Sequence, residues 1–396
     1  MGTRAPRYTI ILAAGEGTRM GSTTHHKVCC PIGGQPAVNR AIKIYNKCGI
    51  EQHILVVGAL AGQVIETVGS AFENVIFTYQ AQRLGTAHAA RQALKVLDGL
   101  QSEHDVLVVA GDRIIKPAVI EQLFDLFYRQ NLDLAVLAVP SRPASNQGRL
   151  VLDATGGLLG IVEAADIRQR QVYRRLFEMA GQGLSFSTEK LLQMVKSGFA
   201  AGAHLPGEAK CETAFGDLWR ALGAEKGDLS AADILKLVPR GKTRFEFISA
   251  AGIKLIKAPD DIQSSRLFNT SVYLIKIPAL RYALASLDRD NAQQEEYLCE
   301  IVNQLATASE NGRPKYAVDY LVVQDPNHVL GFNTPTELFE VEALILSEGK
   351  KPALDQMLAP PAFQTIGEWA AAFEALTDGG RQADETLRQE LIEVYG

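Results

Sequence analysis

Between residues 8 and 139 short apolar runs alternate with helix-spaced segments, and this alternation limits the possible folds more than any other feature of the chain. Tyr8–Leu12 (YTIIL), His53–Val57 (HILVV), Val75–Tyr79, Val106–Ala110 (VLVVA) and Leu132–Val139 (LDLAVLAV) read as buried strands. Between them, Pro36–Lys47, Ala61–Val68, Thr86–Leu97 and Pro117–Gln130 carry apolar residues at helical spacing. Each helix can serve as the crossover that neighbouring parallel strands require, so the pattern predicts a doubly wound, mainly parallel α/β sheet. In such sheets ligands bind beyond the carboxyl ends of the strands.

From about Asp166 to Arg266 the pattern becomes helical and polar on one side, which predicts a helical insertion. Strand character resumes at Asn269–Ile277, helical patterns follow at Pro278–Leu287 and Glu295–Leu305, and Tyr320–Gln324 is a short apolar run. Beyond Asn333 the chain is mainly helical, with Lys350–Pro361 as a linker and an amphipathic helix over Asp384–Val394. The expected organisation is a nucleotide-binding α/β core over 1–165, a helical insertion over 166–268, a return to the core over 269–340 and a helical C-terminal tail over 341–396. With 396 residues, 47% hydrophobic and 21% charged, the chain suits one large α/β domain with additions, or two to three domains. The net charge of −5 leaves no basic excess, so nucleic acid is not an expected partner. No apolar run reaches bilayer length and no secretory apolar region precedes the first strand, so a cytoplasmic chain without a membrane partner is expected. Cys29, Cys30, Cys48, Cys211 and Cys299 form no CxxC pair and no regular spacing, which argues against a disulfide framework or a zinc site.

Leu12-Ala13-Ala14-Gly15-Glu16-Gly17-Thr18-Arg19 sets glycines directly after the first strand. Glycine accepts positive φ and lets backbone N–H groups approach phosphate oxygens, so this stretch reads as a phosphate cradle. Arg19 adds a fork-shaped donor, and Lys27 a point charge suited to a β- or γ-phosphate. Two rival phosphate motifs fail on the letters. A dinucleotide fingerprint needs glycine where Met20 stands, and an acidic residue where the second strand runs into Val57-Gly58-Ala59. A Walker A loop needs GxxxxGK[ST], and no window matches. The adjacent His25 and His26, with no other ligands nearby, are expected in solvent and not on a metal. Asp112, at the carboxyl end of a strand, is a natural Mg²⁺ ligand beside a triphosphate.

The stretch LAAGEGTRMGSTTHHK resembles the LAAGxGTRMxSxxPK signature of the sugar-1-phosphate nucleotidyltransferases. Here the loop is one residue longer, and His26 stands where the family has proline. The resemblance implies a Rossmann-like, GT-A-type sheet and places Leu12, Ala13, Ala14, Gly15, Gly17, Arg19 and Lys27 on the nucleotide. Gln80–Ala89 (QAQRLGTAHA) is similar to the QAxxLGTGHA segment of the bacterial bifunctional uridylyltransferases, which implies that Gln80, Gly85 and Thr86 read a uracil. Gln147–Leu150 followed by Gly160–Glu163 resembles the pairing YGRI…GIVE, and Asn269-Thr270-Ser271 resembles NTG, with Ser271 in place of the glycine. By that resemblance Gly148, Glu163 and Asn269 contact the sugar. Glu295–Ile301 resembles EYYLTDI, and Val329–Thr334 resembles the EGVNN segment, whose asparagine implies Asn333 as a second Mg²⁺ ligand beside Asp112. The likeness covers Tyr8–Asp166 and Asn269–Glu340. No hexapeptide repeat follows Glu340, so acetyl transfer is not expected.

The implied reaction is attack of a sugar-1-phosphate oxygen on the α-phosphorus of a nucleoside triphosphate, best UTP, releasing pyrophosphate. The acceptor is N-acetylglucosamine-1-phosphate or a related hexose-1-phosphate. Both substrates are small molecules, and Mg²⁺ is the expected cofactor. A thymidylyl- or guanylyltransferase of the same fold and a non-catalytic sugar-nucleotide sensor are the competing readings, the latter favoured by departures at Ala110, Arg113 and Cys299. The insertion is open to three roles: a lid, an acceptor-specificity element or a homo-oligomer interface.

Overall fold

Valine, isoleucine and leucine dominate the first strands because a parallel sheet is covered on both faces and needs apolar residues on each. The computed structural model describes residues 5–346 except 21, 23, 103, 141–145, 184, 202–204, 225–226 and 250–251. The expected linker Lys350–Pro361 and the helix over Asp384–Val394 lie outside the described residues. The chain divides into two units, the first made of the described residues of Met1–Arg83, Gln92–Asp125 and Asp325–Gly396. The second comprises Leu84–Arg91 and Leu126–Gln324.

The first unit is built on four parallel strands, β1 (Tyr8–Ala13), β2 (Gln52–Val57), β3 (Val75–Tyr79) and β4 (Val106–Ala110). Their order is β4-β1-β2-β3, with Ile10 opposite both Ile54 and Val108 and Ile54 opposite Ile76. Ile10, Ile54, Leu55 and Val108 are fully buried. Helices Ala37–Lys47 and Ala61–Gly69 follow β1 and β2 in the chain. This is the mainly parallel α/β architecture that the alternation predicts. A second layer of order comes from a two-residue antiparallel pairing of Ile114–Ile115 with Val329–Leu330, which ties the Asp325–Leu346 segment to the end of β4. An apolar cluster of Met20, Ile32, Ile114, Leu330, Phe332 and Leu338 fills the space around that pairing.

The second unit carries a mixed sheet of β5 (Leu134–Pro140), β6 (Arg149–Leu152), β7 (Leu158–Val162), β8 (Leu267–Ile275) and β9 (Val318–Val322). Strand β5 pairs antiparallel with β8 and parallel with β9, while β6 pairs antiparallel with β7 and meets β8 where Phe268 faces Arg149. Helices Ala164–Ala180, Thr188–Phe199, Glu208–Phe215, Asp217–Ala224 and Ala231–Leu237 make up about half of the stretch that the sequence reads as helical. They bury Val172, Leu176, Leu191, Val195 and Phe215 in a cluster of their own. The same stretch also holds an antiparallel hairpin, Phe245–Ile248 with Lys254–Lys257, which the helical reading does not anticipate. The helix expected from Glu295 begins at Glu300. The backbone N–H of Glu296 instead donates to the Leu84 carbonyl (2.6 Å), and its own carbonyl accepts from Ala87 N–H (2.9 Å). No helix among the described residues is long and apolar enough to cross a membrane.

A buried polar pair, Thr9 and His53, interrupts the apolar face where β1 meets β2. His53 is fully buried opposite Thr9, with Nδ1 2.8 Å from Thr9 Oγ1 and Nε2 2.8 Å from Asn46 Oδ1. Burial pushes its pKa down to about 4, because the charged ring has no water to solvate it. The folded-state value lies below the unfolded value of about 6.5, so the stabilisation is fully present above pH 6.5 and is lost as pH falls through 4. At about 1.4 kcal/mol per pKa unit, His53 contributes about 3 kcal/mol of that loss. Urea unfolding of wild type and His53→Gln at pH 7 and pH 4.5 measures it. The variant should lose clearly less stability on acidification, and equal slopes would contradict the account.

Candidate active site

The glycine loop leaves the carboxyl end of β1. Gly17 adopts φ +62°, and a Cβ there would lie 3.1 Å from Lys27 Cβ, so glycine is required both for the turn and for the approach of Lys27. Met20 N–H closes the turn onto the Gly17 carbonyl (2.8 Å) and buries its side chain beside Phe332, which leaves Arg19 exposed. Glu16, in the middle of the loop, pairs with Arg83.

Lys27 opens a short 3₁₀ turn, Lys27–Cys29. His26 caps it, its Nδ1 accepting from Val28 N–H at 3.3 Å while its own N–H donates to Gln63 Oε1 at 2.5 Å. The expectation that His26 sits in solvent is therefore wrong, since only 2% of the residue is exposed. A ring that supplies a cap has to lie against the turn it caps. Burial, helped by the Lys27 charge, holds its pKa below the ordinary imidazole range despite the backbone oxygens of Gly15 and Ala13. His25 stays partly exposed, with Nδ1 3.1 Å from Thr24 Oγ1.

Asp112 follows β4 through Gly111, whose N–H donates to the Leu12 carbonyl at 2.9 Å. Its Oδ2 lies 2.6 Å from Lys27 Nζ. The same ammonium donates to Asn333 Oδ1 at 2.9 Å, and Arg19 Nη2 donates to that oxygen at 3.0 Å. Lys27 Nζ also sits 5.4 Å from the centre of the buried Phe332 ring. Burial alone would raise the Asp112 pKa, but Lys27 and Arg113 outweigh it and hold the carboxyl below the ordinary carboxylate range. Asn333 arrives here because Leu330 pairs with Ile114, and because its backbone N–H donates to Glu337 Oε2 (2.5 Å) in the first turn of helix Pro335–Leu346. Arg19, Lys27, Asp112 and Asn333 are thus brought together within the first unit.

Arg113 and Phe332 belong to the same arrangement, although the sequence reading gave them no role in it. Arg113 is 9% exposed and packs its guanidinium against Gly331, where any side chain would collide with it. A basic residue directly after a strand-end aspartate was the signal available for Arg113, whereas Phe332 carried none.

Gln80 follows β3, only 5% exposed, its backbone N–H donating to the Val57 carbonyl at 2.8 Å. Gly85 and Thr86 belong to the second unit. Thr86 Oγ1 accepts from Leu298 N–H at 2.9 Å, and Gly85, at φ +116°, leaves no room for a Cβ against the Glu296 backbone. The second unit also assembles Gly148, Glu163 and Asn269. Asn269 N–H donates to the Gly148 carbonyl (3.0 Å), and a Cβ on Gly148 would lie 3.0 Å from Glu163 Oε1. The Asn269 side chain donates to Tyr273 Oη (2.8 Å) and accepts from Ser271 N–H (3.0 Å). Burial first, and then the Asp166 charge, raise the Glu163 pKa against the Cys299 thiol and Arg149. Among the described residues no group of three or more His, Cys, Asp or Glu side chains is arranged to hold a metal ion.

Residues 9–204 match the model of a family described as the MobA-like NTP transferase domain. The chain is 39% identical over 163 residues to the bifunctional protein GlmU of Cellvibrio japonicus (strain Ueda107), covering 41% of this chain and 34% of that protein. It is 35% identical over 188 residues to GlmU of Geobacillus thermodenitrificans (strain NG80-2), covering 47% and 39% respectively. The matched stretches thus take in between about a third and two-fifths of these curated relatives. A solved structure from Bacillus anthracis, described as a glucose-1-phosphate thymidylyltransferase in complex with sucrose, has a TM-score of 0.51 at 14% identity. It covers 86% of this chain and 95% of that one, and at this identity the likeness is one of fold.

Ser271 offers a direct check on the local strain beside Asn269. It sits at φ +58° inside β8, where the register with β5 shifts between Asn269 and Tyr273. A left-handed conformation costs an L-residue about 1–2 kcal/mol, part of which glycine gives back in unfolded-state entropy. Ser271→Gly should therefore raise the unfolding free energy by about 0.5–1 kcal/mol, read as a higher urea midpoint at unchanged slope. A lower midpoint would show that the strain is absent.

Proposed function

From the premise that residues 9–204 belong to the family of MobA-like NTP transferase domains, we propose that the chain is a sugar-1-phosphate nucleotidyltransferase. In this reading it transfers UMP from UTP to N-acetylglucosamine-1-phosphate or a related hexose-1-phosphate. The observation that carries the proposal is the convergence of Arg19, Lys27, Asp112 and Asn333 beside the loop that leaves β1. Two cations and two hard oxygen donors in one place suit a triphosphate and its counter-ion. Neither a hydride carrier nor a covalent nucleophile would need that set.

An oxygen of the sugar phosphate attacks the α-phosphorus, the new P–O bond forms, and the bond from the α-phosphorus to the bridging oxygen breaks. Pyrophosphate leaves with the electron pair. The nucleophile is already anionic, so no general base is needed, and the barrier lies in alignment and in repulsion between two polyanions. Arg19 and Lys27 are the cations available to the triphosphate and to the departing pyrophosphate. The backbone from Leu12 to Gly17 offers N–H donors to phosphate oxygens, Gln80 supplies an amide suited to a pyrimidine edge, and Gly85 and Thr86 complete the base reading. Gly148, Glu163 and Asn269 are the sugar contacts.

Magnesium fits the residues present. Asp112 is a buried carboxylate held ionised, Asn333 Oδ1 is a neutral oxygen, and both already bind one cation, the Lys27 ammonium. These two residues would hold Mg²⁺, with phosphate oxygens and water as the remaining ligands. When bound, the ion neutralises phosphate charge.

A matrix of nucleoside triphosphates against hexose-1-phosphates, with Mg²⁺ present and pyrophosphate detected, tests the proposal. The acceptors should include N-acetylglucosamine-1-phosphate, its free-amine counterpart and glucose-1-phosphate. Turnover should be highest in the UTP row and require an acceptor. Silence across the whole matrix would reject the activity, and a dominant dTTP or GTP row would reject the nucleobase.

A further inference from the structure

Asn333 Oδ1 accepts two hydrogen bonds, one from Lys27 Nζ at 2.9 Å and one from Arg19 Nη2 at 3.0 Å. An amide oxygen has two lone pairs, so both are engaged. Lys27 Nζ also lies 2.6 Å from Asp112 Oδ2, which makes the carboxylate and amide oxygens two arms of one grip. The two side chains proposed to hold Mg²⁺ are thus bonded to the two cations proposed to serve the triphosphate.

That grip suits one cation at a time. Mg²⁺ takes its oxygen ligands at about 2.0–2.1 Å and in strict octahedral geometry. An ion on Asp112 Oδ2 and Asn333 Oδ1 would share both oxygens with the Lys27 ammonium. The like charges would then stand side by side around a carboxylate only 6% exposed, where water screens them poorly. Arg19 adds to the conflict, because its bond takes the lone pair of Asn333 that Lys27 leaves over.

The oxygen donors are fixed, whereas the cations can swing. Gly111 N–H donates to the Leu12 carbonyl (2.9 Å) and holds the turn that carries Asp112. Asn333 is tied through its backbone N–H to Glu337 Oε2 (2.5 Å). Lys27, by contrast, ends a flexible four-carbon stem on a backbone that the His26 cap holds in place. The stem runs along the glycine loop, since a Cβ on Gly17 would lie 3.1 Å from Lys27 Cβ and 3.7 Å from its Cδ. Rotation about the bonds of the stem therefore carries the ammonium from Asp112 toward the N–H donors of the loop. Arg19 stands on the same loop, exposed.

We propose that Lys27 and Arg19 occupy the metal ligands until a triphosphate draws both cations to its own oxygens, so that the divalent ion binds with the nucleotide or after it and never before it. The inference rests on the nucleotidyltransferase reading and adds an order of binding to that site. Phosphate oxygens attract Arg and Lys more strongly than a neutral amide oxygen does, which supplies the drive for the exchange. Removing the Lys27 charge leaves a buried carboxylate in need of a cation, which a free divalent ion can then supply.

Mn²⁺ titrated into the full chain without nucleotide, with the free ion counted by its paramagnetic resonance, tests the inference. Lys27→Met should bind Mn²⁺ at least tenfold more tightly than wild type, and Arg19→Ala several-fold more tightly. Arg19 is exposed, so its variant reports on the exchange even where Lys27→Met fails to fold. Adding Asp112→Asn to Lys27→Met should abolish the gain. Equal or weaker Mn²⁺ binding in both variants, or a gain that survives Asp112→Asn, would overturn the assignment. UTP titrated with Mg²⁺ present separates the two levels. UTP binding alongside unchanged Mn²⁺ affinities rejects this inference alone. Failure to bind UTP rejects the parent reading, while the Mn²⁺ titrations still report on the grip.

Discussion

The Lys27 ammonium, held between Asp112 Oδ2 and Asn333 Oδ1, is the contact around which the first unit's site is organised. It joins three stretches that are far apart in the chain: the loop after β1, the end of β4 and the segment before helix Pro335–Leu346. A buried pair of this kind adds little net stability over an apolar substitute, yet removing one partner strands a charge at about 3–5 kcal/mol. That asymmetry explains the surrounding architecture. Leu330 must pair with Ile114, and Phe332 and Met20 must pack, or Asn333 would not reach the ammonium. Gly17 must remain glycine for Lys27 to approach the loop, and His26 must cap the turn that carries Lys27.

How much of this could be read from the letters depended on the distance over which each feature is set. Strands β1, β2 and β4 were legible because a strand buried on both faces leaves an unbroken apolar run, and the glycines after β1 stood out for the same local reason; β3, read as buried too, is half-buried and ends on the exposed Tyr79. His26 was not legible. Its burial is fixed by a cap two residues away together with Gln63, and two adjacent histidines carry no hydrophobic signal. The hairpin at Phe245–Ile248 does alternate, with Phe245 and Phe247 buried and Glu246 and Ile248 exposed, but four residues are too few to override a helical neighbourhood. The late start of helix Glu300–Thr307 depends on Glu296 bonding to Leu84 and Ala87, some two hundred positions earlier. No local propensity encodes that pairing. Arg113 read as a departure from a motif, and in the structure it adds a second positive charge to the field on Asp112.

The second unit uses its polar groups differently. Asn269 is fixed by its backbone bond to the Gly148 carbonyl and by side-chain bonds with Tyr273 and Ser271, which leaves Glu163 as the group whose protonation and neighbours can change. Burial drives its pKa upward, and the Asp166 charge adds to it against the Cys299 thiol and Arg149. The first unit keeps a carboxylate ionised beside two cations, and in the second burial outweighs the nearby cations and raises the pKa of Glu163 and Asp166.

The central claim is that Lys27 and Asp112 act as one device. A double-mutant cycle on pyrophosphate release, using wild type, Lys27→Ala, Asp112→Ala and the double variant, measures it most directly. Each single substitution should lower the rate by about a hundredfold or more, and the double variant should be little worse than either, because residues that act as a unit are lost together. Near-wild-type rates in the single variants, or losses that simply multiply in the double variant, would contradict the account.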